Sequence, residues 1–222
     1  MDNNSYLCIN GESVDVNESF NEWKFNELLK NENILNLEFF QILISILLFA
    51  LTLFIFTILA RKNNIKDKFS FLIFLYHSLF CIFFYIFTFF YVSDASTYYY
   101  YSLFDYDCDY LKNRFGYYNT LFFVNILVEI SLNYFNIFII FNFIGSIGIL
   151  YLYLVLKTLT KNNSHNIVYL FIFFPSLHFW SSAIGKDAII FCCLSILFYF
   201  ILNKKKYFFI LLFITLIFLI RP

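Results

Sequence analysis

The chain has 222 residues, 61% of them hydrophobic and only 14% charged, with fifteen basic against fifteen acidic side chains. A water-soluble domain of this size cannot hide so much apolar surface, whereas a membrane protein has lipid as its solvent. The zero net charge speaks against nucleic acid as a partner.

The first 38 residues are polar and acidic, with no basic stretch leading into an early apolar one. Insertion is therefore expected to rely on internal spans. Within this extracytoplasmic segment Ser19 and Glu22 have capping-box spacing, followed by Trp23, Phe25 and Leu28. Two readings stand here, a short helix resting on the membrane surface and an unstructured tail.

A spanning helix needs about 20 mostly apolar residues. Residues 39–222 are read as an all-α, polytopic transmembrane bundle of six spans, at about 39–60, 69–92, 134–156, 166–180, 187–202 and 207–220. The apolar run from Asn119 to Leu156 would reach roughly 57 Å as one helix, against a hydrocarbon core of about 30 Å. It is expected to divide near Asn133–Tyr134. Its first part carries Asn125, Glu129, Asn133 and Asn136 at spacings of four, four and three, and is read as an amphipathic helix at the outer interface. The last span, about 14 residues and roughly 21 Å, barely crosses, so the natural protein is expected to continue beyond Pro222.

Three short connections, 61–68, 157–165 and 203–206, hold nine of the fifteen Lys and Arg residues and one acid, Asp67. That is the positive-inside pattern, so these connections are expected in the cytoplasm and the N-terminus outside. The Ser93 loop, Ser181–Lys186 and Arg221 then share the outer side. Cys81, Cys192 and Cys193 lie in apolar runs and are read as packing residues. Cys8 and Cys108 fall outside, where a disulfide is possible. No cysteine or histidine spacing suggests zinc, and the sequence leaves cofactor and metal unassigned.

Polar residues that can carry chemistry concentrate on the outer side. Ser93-Asp94-Ala95-Ser96-Thr97-Tyr98-Tyr99-Tyr100 follows the second span. An acid there can take a proton from a sugar hydroxyl or hold a metal, and can equally be a solvated loop acid beside an interfacial tyrosine belt. The run Phe174-Pro175-Ser176-Leu177-His178-Phe179-Trp180-Ser181-Ser182-Ala183-Ile184-Gly185-Lys186-Asp187 breaks the fourth span at Pro175. Broken backbone at that depth survives only beside protein or a water-filled cavity, so Ser, His and Lys are expected to form a polar pocket. Lys186 can meet a phosphate and Asp187 suits a helix N-terminus; a plain hairpin with a snorkelling lysine is the other reading. Arg221 can bind phosphate or anchor the helix at the interface. Asp105, Asp107 and Asp109 form an acidic loop.

An early outer-loop Asp followed by Tyr, an amphipathic helix after it, and the Pro-Ser…Phe-Trp-Ser-Ser…Lys-Asp loop resemble the C-type glycosyltransferase superfamily over roughly Phe69 to Pro222. They look most like bacterial polysaccharide-polymerase and mannosyltransferase-like membrane proteins. The resemblance implies a donor sugar carried on polyprenyl phosphate, in a bacterial cytoplasmic membrane, with Asp94 as the acidic residue that serves as catalytic base or metal ligand. His178, Lys186, Asp187 and Arg221 would then bind substrate, Lys186 and Arg221 at the donor phosphate. The pattern differs in two respects: the large outer loop follows the second span, and its acid is single. A lipid-linked-sugar flippase or other transporter, and a non-catalytic membrane fragment, are the rival expectations.

Overall fold

A computed structural model describes residues 6–9, 12–15, 39–91, 93–104, 115–160, 165–203 and 207–221. The body is all-helical: α1 (Phe39–Lys62), α2 (Asp67–Phe87), α3 (Asp94–Phe104), α4 (Phe115–Glu129), α5 (Tyr134–Leu159), α6 (His165–Ile172), α7 (Pro175–Ser181), α8 (Lys186–Leu202) and α9 (Tyr207–Ile220). Near the N-terminus β1 (Tyr6–Ile9) and β2 (Glu12–Asp15) pair antiparallel, with Tyr6 opposite Asp15. The Ser19–Leu28 segment, Asp105, Asp107, Asp109 and Cys108, the possible partner of Cys8, lie outside the described residues.

Three helices, α1, α2 and α5, are long and apolar enough to cross a membrane. At 1.5 Å per residue, the 21 residues of α2 already reach about 32 Å. The other three expected spans are shorter: a broken α6–α7 pair, the 17-residue α8 and the 14-residue α9. Side chains such as Phe54 on α1 and Leu211 on α9 are 63% and 66% exposed. That is untenable in water and ordinary against lipid chains, so the chain is a helical membrane protein.

Local chemistry sets the boundaries. α1 stops in a Schellman motif: the Ile65 N–H donates to the Ala60 carbonyl, the Asn64 N–H to that of Arg61, and Asn64 sits at φ 56°. Across this turn Arg61 grips Asp67 through two 2.9 Å hydrogen bonds. α4 ends the same way, with Ser131 at φ 64°, the Leu132 N–H reaching the Leu127 carbonyl and the Ser131 N–H that of Val128. Asn133 then caps α5, its side chain accepting from the Asn136 N–H at 2.8 Å. The long apolar run thus divides at Asn133–Tyr134 as the sequence indicated.

That division also splits the polar stripe expected on a single interfacial helix. Asn125 stays on α4, 5% exposed, and donates to Glu129 at 2.8 Å. Asn133 has become a cap. Asn136 is fully buried on α5, bonded to Ser45 (2.7 Å) and Gln41 (3.2 Å) of α1. The exposed residues of α4 include the apolar Phe122 and Ile126.

α5 is the central post. It touches α1, α2, α6, α7 and α8, and 56% of its most apolar stretch is buried, against 17% for α1. Two apolar clusters stack along it. Near its N-terminus Phe138 and Phe141 meet Tyr98 of α3, Leu121 and Val124 of α4, and Ala188 of α8. Near its C-terminus Ile149 and Leu150 meet Phe56, Ile73, Phe74 and Ile172. Cys81, Cys192 and Cys193 are buried and free, as packing residues should be.

Two glycines let neighbours close on α5. A Cβ at Gly145 would overlap the Ser181 carbonyl oxygen and come within 2.6 Å of His77 Nε2. A Cβ at Gly148 would lie 2.7 Å from the Phe191 ring and 3.0 Å from the Cys192 Cα. A ring can rotate away, but a backbone carbonyl cannot. Gly145→Ala is therefore expected to destabilise by about 1–3 kcal/mol, the usual range for overpacking, and Gly148→Ala by less. Thermal unfolding of the two variants in detergent checks the order; equal melting temperatures for both and for the parent would contradict it.

Candidate functional site

At the end of the bundle where α5 begins, a cavity of about 540 Å³ is lined by Ser93, Asp94, Lys186, Asp187 and Arg221, with Phe84, Phe87, Trp180 and Ile190 among its apolar walls. Four of the five candidate residues thus come together from α3, the start of α8 and the residue just past α9. The basic residues Arg61, Lys62, Lys66, Lys68 and Lys157 lie towards the other end, where Tyr199 at the close of α8 reaches Asn63 (3.4 Å) and Phe69 packs against Tyr153 and Tyr169.

Asp94 is held at the first turn of α3 by a reciprocal serine cap. The Ser93 N–H donates to Ser96 Oγ at 3.1 Å, and Ser96 Oγ and Thr97 Oγ1 donate back to the Ser93 carbonyl at 2.8 and 3.0 Å. The sequence suggested a loop here. A helix forms because Tyr98, Tyr99 and Tyr100 are all buried in one cluster with residues of α4 and α5, Tyr98 against Tyr117 of α4 and Tyr99 against Tyr134 of α5.

Lys186 and Asp187 open α8 immediately after Gly185. The Lys186 ammonium sits 5.7 Å from the centre of the Tyr117 ring, a cation–π distance. Tyr117 in turn stacks on Tyr98, centroids 4.6 Å apart and planes 26° from parallel. Burial, then the Asp94 carboxylate, and further the Asp187 carboxylate raise the Tyr98 phenol above its ordinary range. Tyr98 is therefore a protonated phenol, fully buried. Arg221 follows the last turn of α9, its N–H on the Ile217 carbonyl at 2.9 Å. α9 is fastened to α4 by the Asn119 amide, which donates to the Leu219 carbonyl at 2.6 Å.

The electrostatics suit an anion flanked by hydroxyl-bearing groups. Two helix N-termini, those of α3 and α8, meet at the cavity and project positive potential into it. A lysine and an arginine add two full charges, the arginine with a fork matching phosphate oxygens. Asp94 and Asp187, both exposed, can accept protons or hydroxyl hydrogen bonds beside that positive region. Among the described residues no three His, Cys, Asp or Glu side chains come together as metal ligands.

His178 is elsewhere. It is fully buried inside the bundle, with Nδ1 3.0 Å from His77 Nδ1 and Nε2 against the Ile172 carbonyl. A carbonyl only accepts, so His178 Nε2 carries the proton and its Nδ1 accepts from His77 Nδ1–H. Ser181 and Ser182 are also committed to the fold, donating to the carbonyls of Leu177 and Phe179. The first cavity therefore contains Lys186 and Asp187 but neither His178 nor the serine pair; Ser181 lines a separate cavity of about 360 Å³ beside the proline break, with Ser176 and Asp187. Sequence reasoning assigned no role to Trp180 or to the Tyr98–Tyr117 stack; the tyrosine run was read as a loop, which hid the stack.

Since each histidine completes the other, the pair behaves as a unit. His178→Leu leaves the His77 donor buried without an acceptor and is expected to cost about 1–3 kcal/mol. The double variant His77→Leu/His178→Leu should lose less than the sum of the singles. A double-mutant cycle on detergent-solubilised protein measures this; strict additivity would remove the bond from the account.

No protein-family model, curated protein or solved structure matches this chain.

Proposed function

We propose that the protein is a membrane glycosyltransferase, or polysaccharide-polymerase-like enzyme, that transfers sugar from a polyprenyl-phosphate-linked donor at the outer face of the membrane. One observation carries the reading: Asp94, Lys186, Asp187 and Arg221 line a single cavity whose remaining wall includes Phe84, Phe87, Trp180 and Ile190. A lipid-linked sugar phosphate presents an anion, hydroxyls and hydrocarbon together, and this lining answers all three. Of the basic residues in the three connections, Arg61, Lys62, Lys66, Lys68 and Lys157 are described, and their place at the opposite end supports an outward-facing cavity.

In this reading Lys186 and Arg221 hold the donor phosphate, aided by the N-termini of α3 and α8. The Asp94 carboxylate takes the proton of the acceptor hydroxyl as its oxygen bonds to the sugar's anomeric carbon. The bond from that carbon to the phosphate oxygen breaks, and the phosphate leaves with the electron pair, its charge met by the two cations. Asp187 accepts a hydrogen bond from a sugar hydroxyl.

A flippase for the same lipid is the second reading, favoured by the buried His77–His178 pair within the helical bundle, the kind of ionisable group that marks transport paths. Movement of a lipid-linked sugar across vesicles without chemical change would support it.

Asp94→Asn is expected to lower sugar transfer by about 10²-fold or more, the range for losing a general base, while donor binding persists. Lys186→Ala and Arg221→Ala should instead weaken donor binding. Transfer from a radiolabelled polyprenyl-phosphate sugar in proteoliposomes tests both; an Asp94→Asn protein of undiminished rate would sink the mechanism.

A further inference from the structure

A second cavity, of about 370 Å³, opens between α1, α2 and α5 and shares no residue with the first. Its walls include Phe49, Leu53, Cys81, Ile82 and Ile139, and Asn142 also lines it. Ile82 of the lining is 49% exposed, so the cleft faces the hydrocarbon rather than water.

Its polar groups can be accounted for one by one. Ser45 Oγ lies 2.7 Å from Asn136 Oδ1 and 2.8 Å from the Gln41 carbonyl, and its one proton is committed there. Ser78 donates to the Phe74 carbonyl at 2.8 Å and accepts from Asn142 Nδ2 at 3.0 Å. That leaves Asn142 Oδ1, on a side chain 1% exposed, with no hydrogen-bond partner. A buried acceptor without a donor costs about 1–3 kcal/mol. Water is a poor remedy, because a buried water needs two to four polar partners and the cleft offers no free donor and, besides the serine lone pairs, one acceptor. Apolar walls likewise exclude a charged donor.

We propose that this cleft is a lipid-binding site for a long-chain alcohol, whose hydroxyl donates to Asn142 Oδ1 while its chain lies against Phe49, Leu53 and Ile139. Size, lateral access from the bilayer and one acceptor at the base together define that ligand. A molecule of equal length lacking the hydroxyl proton fills the same space and leaves Asn142 unsatisfied. The site is independent of the sugar-transfer reading, since it shares no lining residue with the first cavity and takes a neutral ligand.

The test compares two photoactivatable probes, a diazirine-bearing hexadecanol and its methyl ether, on the purified protein in nanodiscs, with labelled peptides identified by mass spectrometry. The alcohol is expected to label the peptides around Phe49, Ile82 and Ile139 about tenfold more than the ether, the ratio for 1.4 kcal/mol. Asn142→Leu should bring the two probes to equal labelling, and Ile139→Trp, which fills the cleft, should remove both. Equal labelling of the parent protein by both probes overturns the proposal, as does a preference for the ether or one that survives Asn142→Leu. Should either variant fail to fold, the comparison on the parent protein decides alone.

Discussion

Pro175 has no N–H to give the Phe171 carbonyl, and its ring stops α6 from running on into α7. Within hydrocarbon such a loss must be made good by protein, and three groups do so. The Phe174 N–H turns back to the Phe171 carbonyl at 3.3 Å, the Tyr76 hydroxyl donates to the Phe173 carbonyl at 3.1 Å, and His178 Nε2 caps the Ile172 carbonyl. His178 is then locked by His77. With the break repaired, the seven residues of α7 run close to α5 at Gly145, and the chain emerges at Ser182–Gly185 to start α8. The positions of Lys186 and Asp187 rest on this sequence of bonds.

The other side of the cavity is fixed by different means. Asp94 is set by a cap and by tyrosines buried against α4 and α5, and Arg221 by the tie between Asn119 and the end of α9. Three independently anchored segments therefore meet in one space. Each brings a helix terminus with it: two positive N-termini, and one negative C-terminus beside which an arginine sits well. The cavity combines strong cationic character with free carboxylates, a mixture that would collapse into ion pairs were the groups not separately held. Among the described residues the Arg61–Asp67 pair is the salt bridge that does form, and it lies in the α1–α2 turn, far along the chain from the cavity residues.

Most of the fold was legible in the sequence because hydrocarbon thickness and apolar run length are directly linked. The segments 39–60, 134–156, 187–202 and 207–220 coincide with helices to within about three residues, and of those helices α1 and α5 are long and apolar enough to cross a membrane. The 69–92 span was drawn too long because apolarity continues past Phe87 while the backbone turns through Thr88–Tyr91. The gathering of Asp94, Lys186, Asp187 and Arg221 was readable from topology alone, since alternate helix ends share a side. What periodicity misreads is polarity whose partner is distant in sequence. Asn136 looked like the end of a water-facing stripe and instead binds α1; His178 looked like a pocket residue and instead mends a helix. The Tyr98–Tyr100 run read as an interfacial loop because nothing local reveals that α4 folds over it.

The claim on which the functional reading stands is that Asp94 and Arg221, 127 positions apart, face one another across a single cavity. Cysteine cross-linking measures this directly in a background with the five native cysteines replaced. Asp94→Cys combined with Arg221→Cys should be joined rapidly by a short, water-soluble bismaleimide. Asp94→Cys combined with Lys62→Cys, at the opposite end of the bundle, should not. Failure of the first pair, or equal cross-linking of both, would contradict the shared cavity.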